Sequence, residues 1–351
     1  MPLDLPPEQT GAAAWYGPDL AGRDDWIMPL EAGDLAEIAA ASAALAGSDT
    51  DIAAITARDF PLPNLGPKLT ARVRDEVLNG RGFLLLRGLP VERWSDRQAA
   101  VAFFGLGAHI GSARSQNAQG HLLGHVQDLG LDAGDPNVRI YQTSARQTFH
   151  TDSSDVVGLL CLQTARSGGL SALVSSTTIF NEMRRRRPDL LKLLLEPIAT
   201  DRRGEVAMGE KPYFEIPVFN WHDGYLSAIY QRQYIDSAQR FADAPRLTPA
   251  HVEALELFDS LANDPRLHMF MELRRGDVQL VHNHTLLHDR TAFVDWPEPE
   301  RRRHLLRLWL APWDARPLPA VFAERYGSVT IGARGGVAPR GTGLKAPISA
   351  A

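Results

Sequence analysis

What the chain lacks narrows its chemistry first. It holds a single cysteine, Cys161. One thiol allows no intramolecular disulfide and no thiolate-based zinc or iron–sulfur site. Its neighbours Leu160 and Leu162 mark it as a buried, inert side chain. No uninterrupted apolar stretch approaches the roughly 18 residues of a membrane helix. The N-terminus lacks a basic segment followed by an apolar run, so no secretory signal is expected. Basic residues are not in excess: 37 Lys and Arg face 42 Asp and Glu, a net charge of −5. That balance argues against a nucleic-acid surface or a basic membrane face. No internal repeat and no domain linker stands out. The expectation is a soluble, cytoplasmic protein with no nucleic-acid or membrane partner.

What is present supports a sizeable core, since 44% of the 351 residues are hydrophobic. Residues 1–60 read as an N-terminal arm, Pro- and Ala-rich over 1–14, then an alanine-rich helix from Asp34 to Leu45. Residues 61–330 read as one domain, and 331–351 as a Gly-, Pro- and Ala-rich tail. Helices are expected over Lys68–Asn79, from the cap Ser95 through Phe104, from a cap at Thr177 or Thr178 to Arg187, after Pro188, and from Pro249 to Leu261. Short strands are expected at Gly82–Leu89, Val138–Thr143, Val156–Leu162, Leu170–Val174, Gly276–Asn283 and Arg303–Trp309. Short strands between turns, with helices early and midway, fit neither a doubly wound sheet nor a helical bundle. They predict a mainly β protein with flanking helices and a sandwich or jelly-roll core. Residues 106–147 and 200–245 are irregular and read as the walls of a pocket.

The chemistry gathers on three stretches. In Thr148-Phe149-His150-Thr151-Asp152, an extended backbone puts His150 and Asp152 on one face, where both can reach one metal ion. Val281 to Arg290 supplies a third ligand candidate, His288, with His282 and His284 as competitors by type. In Arg303-His304-Leu305-Leu306-Arg307-Leu308-Trp309, alternation puts Arg303, Leu305, Arg307 and Trp309 on one face. Two guanidinium groups inside a barrel require an anionic partner, and arginine grips a carboxylate bidentately. Two histidines and one carboxylate leave three positions open on iron, enough for a chelating 2-oxo acid and dioxygen.

His-x-Asp, a distal His, and Arg-x-x-x-Arg beginning fifteen residues after it resemble the iron(II)- and 2-oxoglutarate-dependent dioxygenases of the taurine dioxygenase family, over roughly residues 80–312. Gly168-Gly169-Leu170-Ser171 resembles that family's Gly-Gly-Asp-Thr, with Leu170 and Ser171 replacing the last two. The resemblance implies a double-stranded β-helix (jelly-roll) core, with Fe(II) on His150, Asp152 and His288. It implies 2-oxoglutarate anchored by Arg303 and Ser171, Asn283 at the co-substrate site, and Arg307 on an anionic substrate. It implies a small-molecule substrate, dioxygen as co-substrate, release of succinate and CO2, and dimers or tetramers. Asp152 favours hydroxylation over chlorination, because related halogenases lack the carboxylate ligand. Spacing to the arginine pair favours His288 over His282 and His284.

Blander readings stand beside this one. A non-catalytic jelly-roll anion-binding protein and a zinc hydrolase could use the same residues. His282-Asn283-His284 spells a nuclease tripeptide but lacks a basic surface. His121 and His125 read as surface or pocket-rim residues, and Arg184–Arg187 as a solvated helix end. Trp309 reads as barrel packing. Tyr141, Gln142, Arg146 and Gln147 read equally as pocket lining or strand surface.

Overall fold

A computed structural model describes all residues except 1–4, 133, 135–137, 207–208, 342 and 350–351. The outermost parts of the expected arm and tail therefore lie outside the described residues.

Two sheets face each other. The larger runs Ile27–Pro29, Phe83–Arg87, Val278–His282, Val156–Gln163, His304–Pro312 and Gly111–Arg114, with Leu123–Val126 also pairing with His304–Pro312. The smaller runs His268–Met271, Ser171–Ser175, Leu286–Arg290 and Gln147–His150. Pairing within both is antiparallel except between Ile27–Pro29 and Phe83–Arg87. This is the jelly-roll architecture that the strand pattern predicts.

Side-chain alternation explains the layering. Phe83, Leu85, Val157, Val281 and Trp309 of the larger sheet meet Leu173, Met269, Met271 and Leu286 of the smaller between the sheets. The alternate residues Leu84, Leu86, Leu160, Leu280, Leu306 and Leu308 pack outward into a second core. The helices Ala32–Ala46, Leu65–Arg72 and Asp96–Ala108 supply its other half. The smaller sheet turns Phe149, Val174 and Leu287 onto Ser176–Arg186, Pro188–Leu193 and Pro249–Ala262. Strands covered on both faces must be apolar throughout, which is why Val156–Gln163 reads as a continuous run. Cys161 lies on that strand at 1% exposure, and burial pushes its thiol up to about 12.

Several local expectations are corrected. Val138–Thr143 is no strand; a 3-10 turn covers Ile140–Gln142, closed by the Thr143 hydroxyl on the Ile140 carbonyl. Val138, Arg139, Ile140 and Tyr141 all border one cavity, so the apolar–polar alternation does not mark the two faces of a paired strand. The expected cap at Thr177 or Thr178 is Ser175, whose hydroxyl accepts from the Thr178 N–H at 2.9 Å. The helix over 68–79 begins at Leu65 and widens into a π-turn at Val73–Leu78. Arg184–Arg187 is ion-paired rather than merely solvated: Arg185 meets Glu8, and Arg184 donates to the Pro6 carbonyl, pinning the N-terminal arm.

His125 is not at the pocket rim. Its Nδ1 lies 2.8 Å from His304 Nε2, and its Nε2 donates to the Pro347 carbonyl at 2.9 Å. Burial, then the neighbouring His125, pushes His304 down to about 4. Unfolded histidine titrates near 6.5, so between those values the unfolded chain binds more protons and stability rises with pH. The melting temperature is therefore expected to drop as pH falls from about 6.5 towards 4. His304→Gln should flatten the curve over that window; an unchanged slope in calorimetry would remove His304 from the account.

Candidate active site

The two histidines are brought together by strand pairing. Gln147–His150 lies antiparallel to Leu286–Arg290 with His150 opposite His288, and the ring centroids are 4.1 Å apart. Asp152 sits just past the strand end and is fixed by the surrounding walls. Its backbone N–H donates to the Asn283 side-chain carbonyl at 3.0 Å, and Trp309 Nε1 donates to its Oδ2 at 2.8 Å. One ligand atom from each of His150, Asp152 and His288 lies within 4.8 Å of the others. Among the described residues no other such group of three occurs.

The protonation states suit metal binding. His150 Nδ1 lies 2.8 Å from the Thr148 carbonyl, which can only accept, so Nδ1 donates and Nε2 keeps its lone pair. The Gln147 amide sits 2.8 Å from that Nε2. Burial lowers His150, and burial with neighbouring His150 pushes His288 down to about 3. For Asp152, burial would raise the pKa, but Arg307 and both histidines override it and hold the carboxyl below its usual range. Neutral imidazoles beside an ionised carboxylate are the ligand forms a metal requires.

Beside the triad, Ser171, Arg290, Arg303 and Arg307 line one cavity with Gln147 and His288. Arg303 is 6% exposed and its Nη1 has no hydrogen-bond partner. Its guanidinium lies 5.2 Å from the Phe293 ring, and burial pushes its pKa down to about 10, so it stays charged at neutral pH. Gly169, at φ +69°, makes room for it: a Cβ there would lie 3.0 Å from Arg303 Nε. A buried cation with an orphaned donor is costly unless an anion completes it. Ser171 Oγ exchanges hydrogen bonds with the Gln279 amide at 3.1–3.2 Å. The donor set thus fits Fe(II), and the adjoining cationic cavity fits a carboxylate of 2-oxoglutarate.

Arg307 is bound up with the triad itself. Its Nε donates to Gln116 Oε1 at 2.7 Å, its Nη1 lies 3.6 Å from Asp152 Oδ2, and its guanidinium covers the Tyr141 ring at 4.7 Å. Asn283 is fully buried and does not line this cavity; its amide donates to the Ser154 carbonyl at 2.9 Å while its carbonyl holds Asp152. His284 turns away to Asp155 at 2.7 Å, and His282 lies 3.0 Å from the Thr285 hydroxyl. Arg146 pairs with Asp289. Tyr141 and Gln147 line both this cavity and a second, larger one that His150 and Asp152 also border; Trp309, read from sequence as packing, lines the second. Arg290 and Gln116 lie outside the sequence motifs. Arg290 had a signal, standing two residues past His288 on one strand and so facing the same way. Gln116 had none, because only folding brings it to Arg307.

The sandwich, the triad and its cationic neighbour define a 2-oxoglutarate-dependent non-haem iron dioxygenase, with Fe(II) and 2-oxoglutarate as its cofactor and co-substrate. The chain belongs to the taurine catabolism dioxygenase TauD, TfdA family, whose model matches residues 45–309. It is similar to FR-33289 synthase of Streptomyces rubellomurinus, 31% identical over 91% of this chain and 95% of that protein. It is also similar to the taurine hydroxylase-like protein SAT17 of Stachybotrys chartarum, 30% identical over 84% of this chain and 77% of the other. Among solved structures, asparagine oxygenase in complex with Fe(II), 3-hydroxyasparagine and succinate superposes with a TM-score of 0.64 at 17% identity, covering 81% of this chain and 93% of that one. That likeness is one of fold. Among the described residues no helix is long and apolar enough to cross a membrane.

Proposed function

We propose that the protein oxidises, by hydroxylation, a C–H bond of a small anionic molecule bound beside His150, Asp152 and His288. The observation that carries this is the triad standing between two cavities, one cationic and small, the other larger. His150, Asp152 and His288 would hold Fe(II), and Arg303 with Ser171 would take the distal carboxylate of 2-oxoglutarate. Bound there, iron and 2-oxoglutarate supply the oxidising power, with succinate and CO2 as by-products.

The chain's own residues do the rest. Thr148 keeps the His150 ring oriented with Nε2 forward. Asn283 and Trp309 fix the two ends of Asp152. Arg307 adds charge that keeps Asp152 ionised. The larger cavity, lined by Tyr141, Tyr230, Phe214 and Ile216 among others, would hold the substrate away from bulk water.

Purified protein given Fe(II) and 2-oxoglutarate under air should release succinate, and no succinate under any substrate screened would sink the reading. Asn283→Ala supplies a second check. It strips the Asp152 N–H of its acceptor, a buried loss of about 1–3 kcal/mol. Iron affinity is expected to fall about 10–100-fold, as for other groups that orient metal ligands. Unchanged iron retention would mean that Asp152 is positioned without it.

A further inference from the structure

One wall of the larger cavity is built from arginine. Apart from the triad and Arg307, the charged side chains lining it among the described residues are Arg139, Arg203 and Arg325. They come from three separate segments: the approach to Ile140–Gln142, the turn after Ile198–Asp201, and the helix Ala323–Tyr326. Two bracing groups hold them close. Glu205 meets Arg139 at 2.5 Å through one oxygen and Arg325 at 3.6 Å through the other. The Tyr234 ring lies under both Arg139 and Arg203, at 5.7 and 5.4 Å. Arg325 Nε also donates to Ser153 Oγ at 2.7 Å, beside Asp152.

Two features point to a ligand rather than to scaffolding. Glu205 does not line this cavity; it lies with Arg325 on an outer cleft, bracing Arg139 and Arg325 from outside. Among the described residues the cavity surface there thus carries arginine and no carboxylate other than Asp152. Clefts lined by one sign of charge concentrate counter-ions. Arg203 also has φ +53°, a left-handed backbone that a branched or long side chain rarely adopts, stabilised by its N–H donating to Asp201 Oδ1 at 2.7 Å. Such outliers cluster where a side chain must be aimed.

We propose that Arg139, Arg203 and Arg325 form an oxyanion subsite, and that the substrate carries a phosphoryl-type dianion docked there. This rests on the larger cavity being the substrate cavity. Three guanidinium groups from three segments match an anion with three outward oxygens and close to two charges. A carboxylate presents one planar edge and suits a single arginine.

The test is calorimetric titration of the iron-loaded protein, without oxygen and with saturating 2-oxoglutarate. Phenyl phosphate is the probe, with benzoate and benzyl alcohol beside it. Phenyl phosphate should bind, more weakly as salt is added. Arg203→Gln should weaken it about tenfold. Glu205→Gln should tighten it, because the neutral amide oxygen can still accept from the bracing arginines while no longer offsetting their charge. Melting temperatures of both variants identify misfolding, and since the two are expected to move binding in opposite directions, a damaged fold cannot imitate the result. Binding no better than benzyl alcohol overturns the subsite. Benzoate binding as tightly as phenyl phosphate overturns the phosphoryl class. Loss in Arg307→Gln with none in Arg203→Gln moves the anion to the metal and also overturns it. Failure of the functional reading shows separately, as absent succinate formation.

Discussion

Arg303→Met is expected to raise the melting temperature of the unliganded protein and, in the same variant, to raise the 2-oxoglutarate requirement about thirtyfold or more. Both effects come from one side chain. The guanidinium is buried and charged, and its Nη1 lacks a partner. An unsatisfied buried donor costs about 1–3 kcal/mol, and an apolar side chain of similar volume removes that cost. Methionine also keeps the contact with Phe293 and the room left by Gly169. The backbone N–H of residue 303 retains its bond to Asp295. A dicarboxylate bound in the cavity loses a buried charge partner worth about 2–5 kcal/mol, which is about thirtyfold at the lower bound. The measurements are thermal melts without ligand and succinate formation against 2-oxoglutarate concentration. A lower melting temperature with an unchanged 2-oxoglutarate requirement would show that Arg303 is a structural cation.

Asp152→Ala should cost more. Iron is expected to be lost on desalting, and succinate formation to fall more than about a hundredfold, beyond the range seen for groups that merely orient ligands. The change also leaves Trp309 Nε1 without its acceptor and Arg307 without its nearest carboxylate. Some loss of stability therefore accompanies it, and activity alone would be ambiguous. Asp152→Asn separates the two effects: its side-chain oxygen can still accept from Trp309, but it brings no negative charge to a metal. If the asparagine variant holds iron and turns over like the parent, the carboxylate is not a ligand.

Two stretches resisted reading for a physical reason. Residues 106–147 and 200–245 are not irregular: they hold the strands Gly111–Arg114, Leu123–Val126, Tyr213–Ile216, Phe219–His222 and Tyr225–Ala228 and the helix Arg232–Ala238, elements too short for a periodic buried face to stand out. Val138–Thr143, whose alternation imitates a strand, is a turn with Tyr141 and Arg139 facing the cavity. Trp309 was legible as an inward residue, but its hydrogen bond to Asp152 spans 157 positions in the chain. Periodicity shows which way a side chain faces and not what it meets.

By itself the sequence determined the layers and the core chemical pieces. Alternation on the strand His304–Pro312 placed Arg307 and Trp309 inward, and His150 and Asp152 were close enough in sequence to share one face. These features are local, and local spacing is what the chain writes down directly. Only the tertiary structure decided how they act together. Spacing to the arginine pair already favoured His288, but only pairing set its ring against His150, and folding placed Asn283 behind Asp152 instead of in the cavity. It also set Arg307 against Asp152 and Gln116, and gathered Arg139, Arg203 and Arg325 on one wall. Each of those outcomes depends on strand register and loop closure, which bring distant residues within a few ångströms and leave no mark in the spacing of the chain.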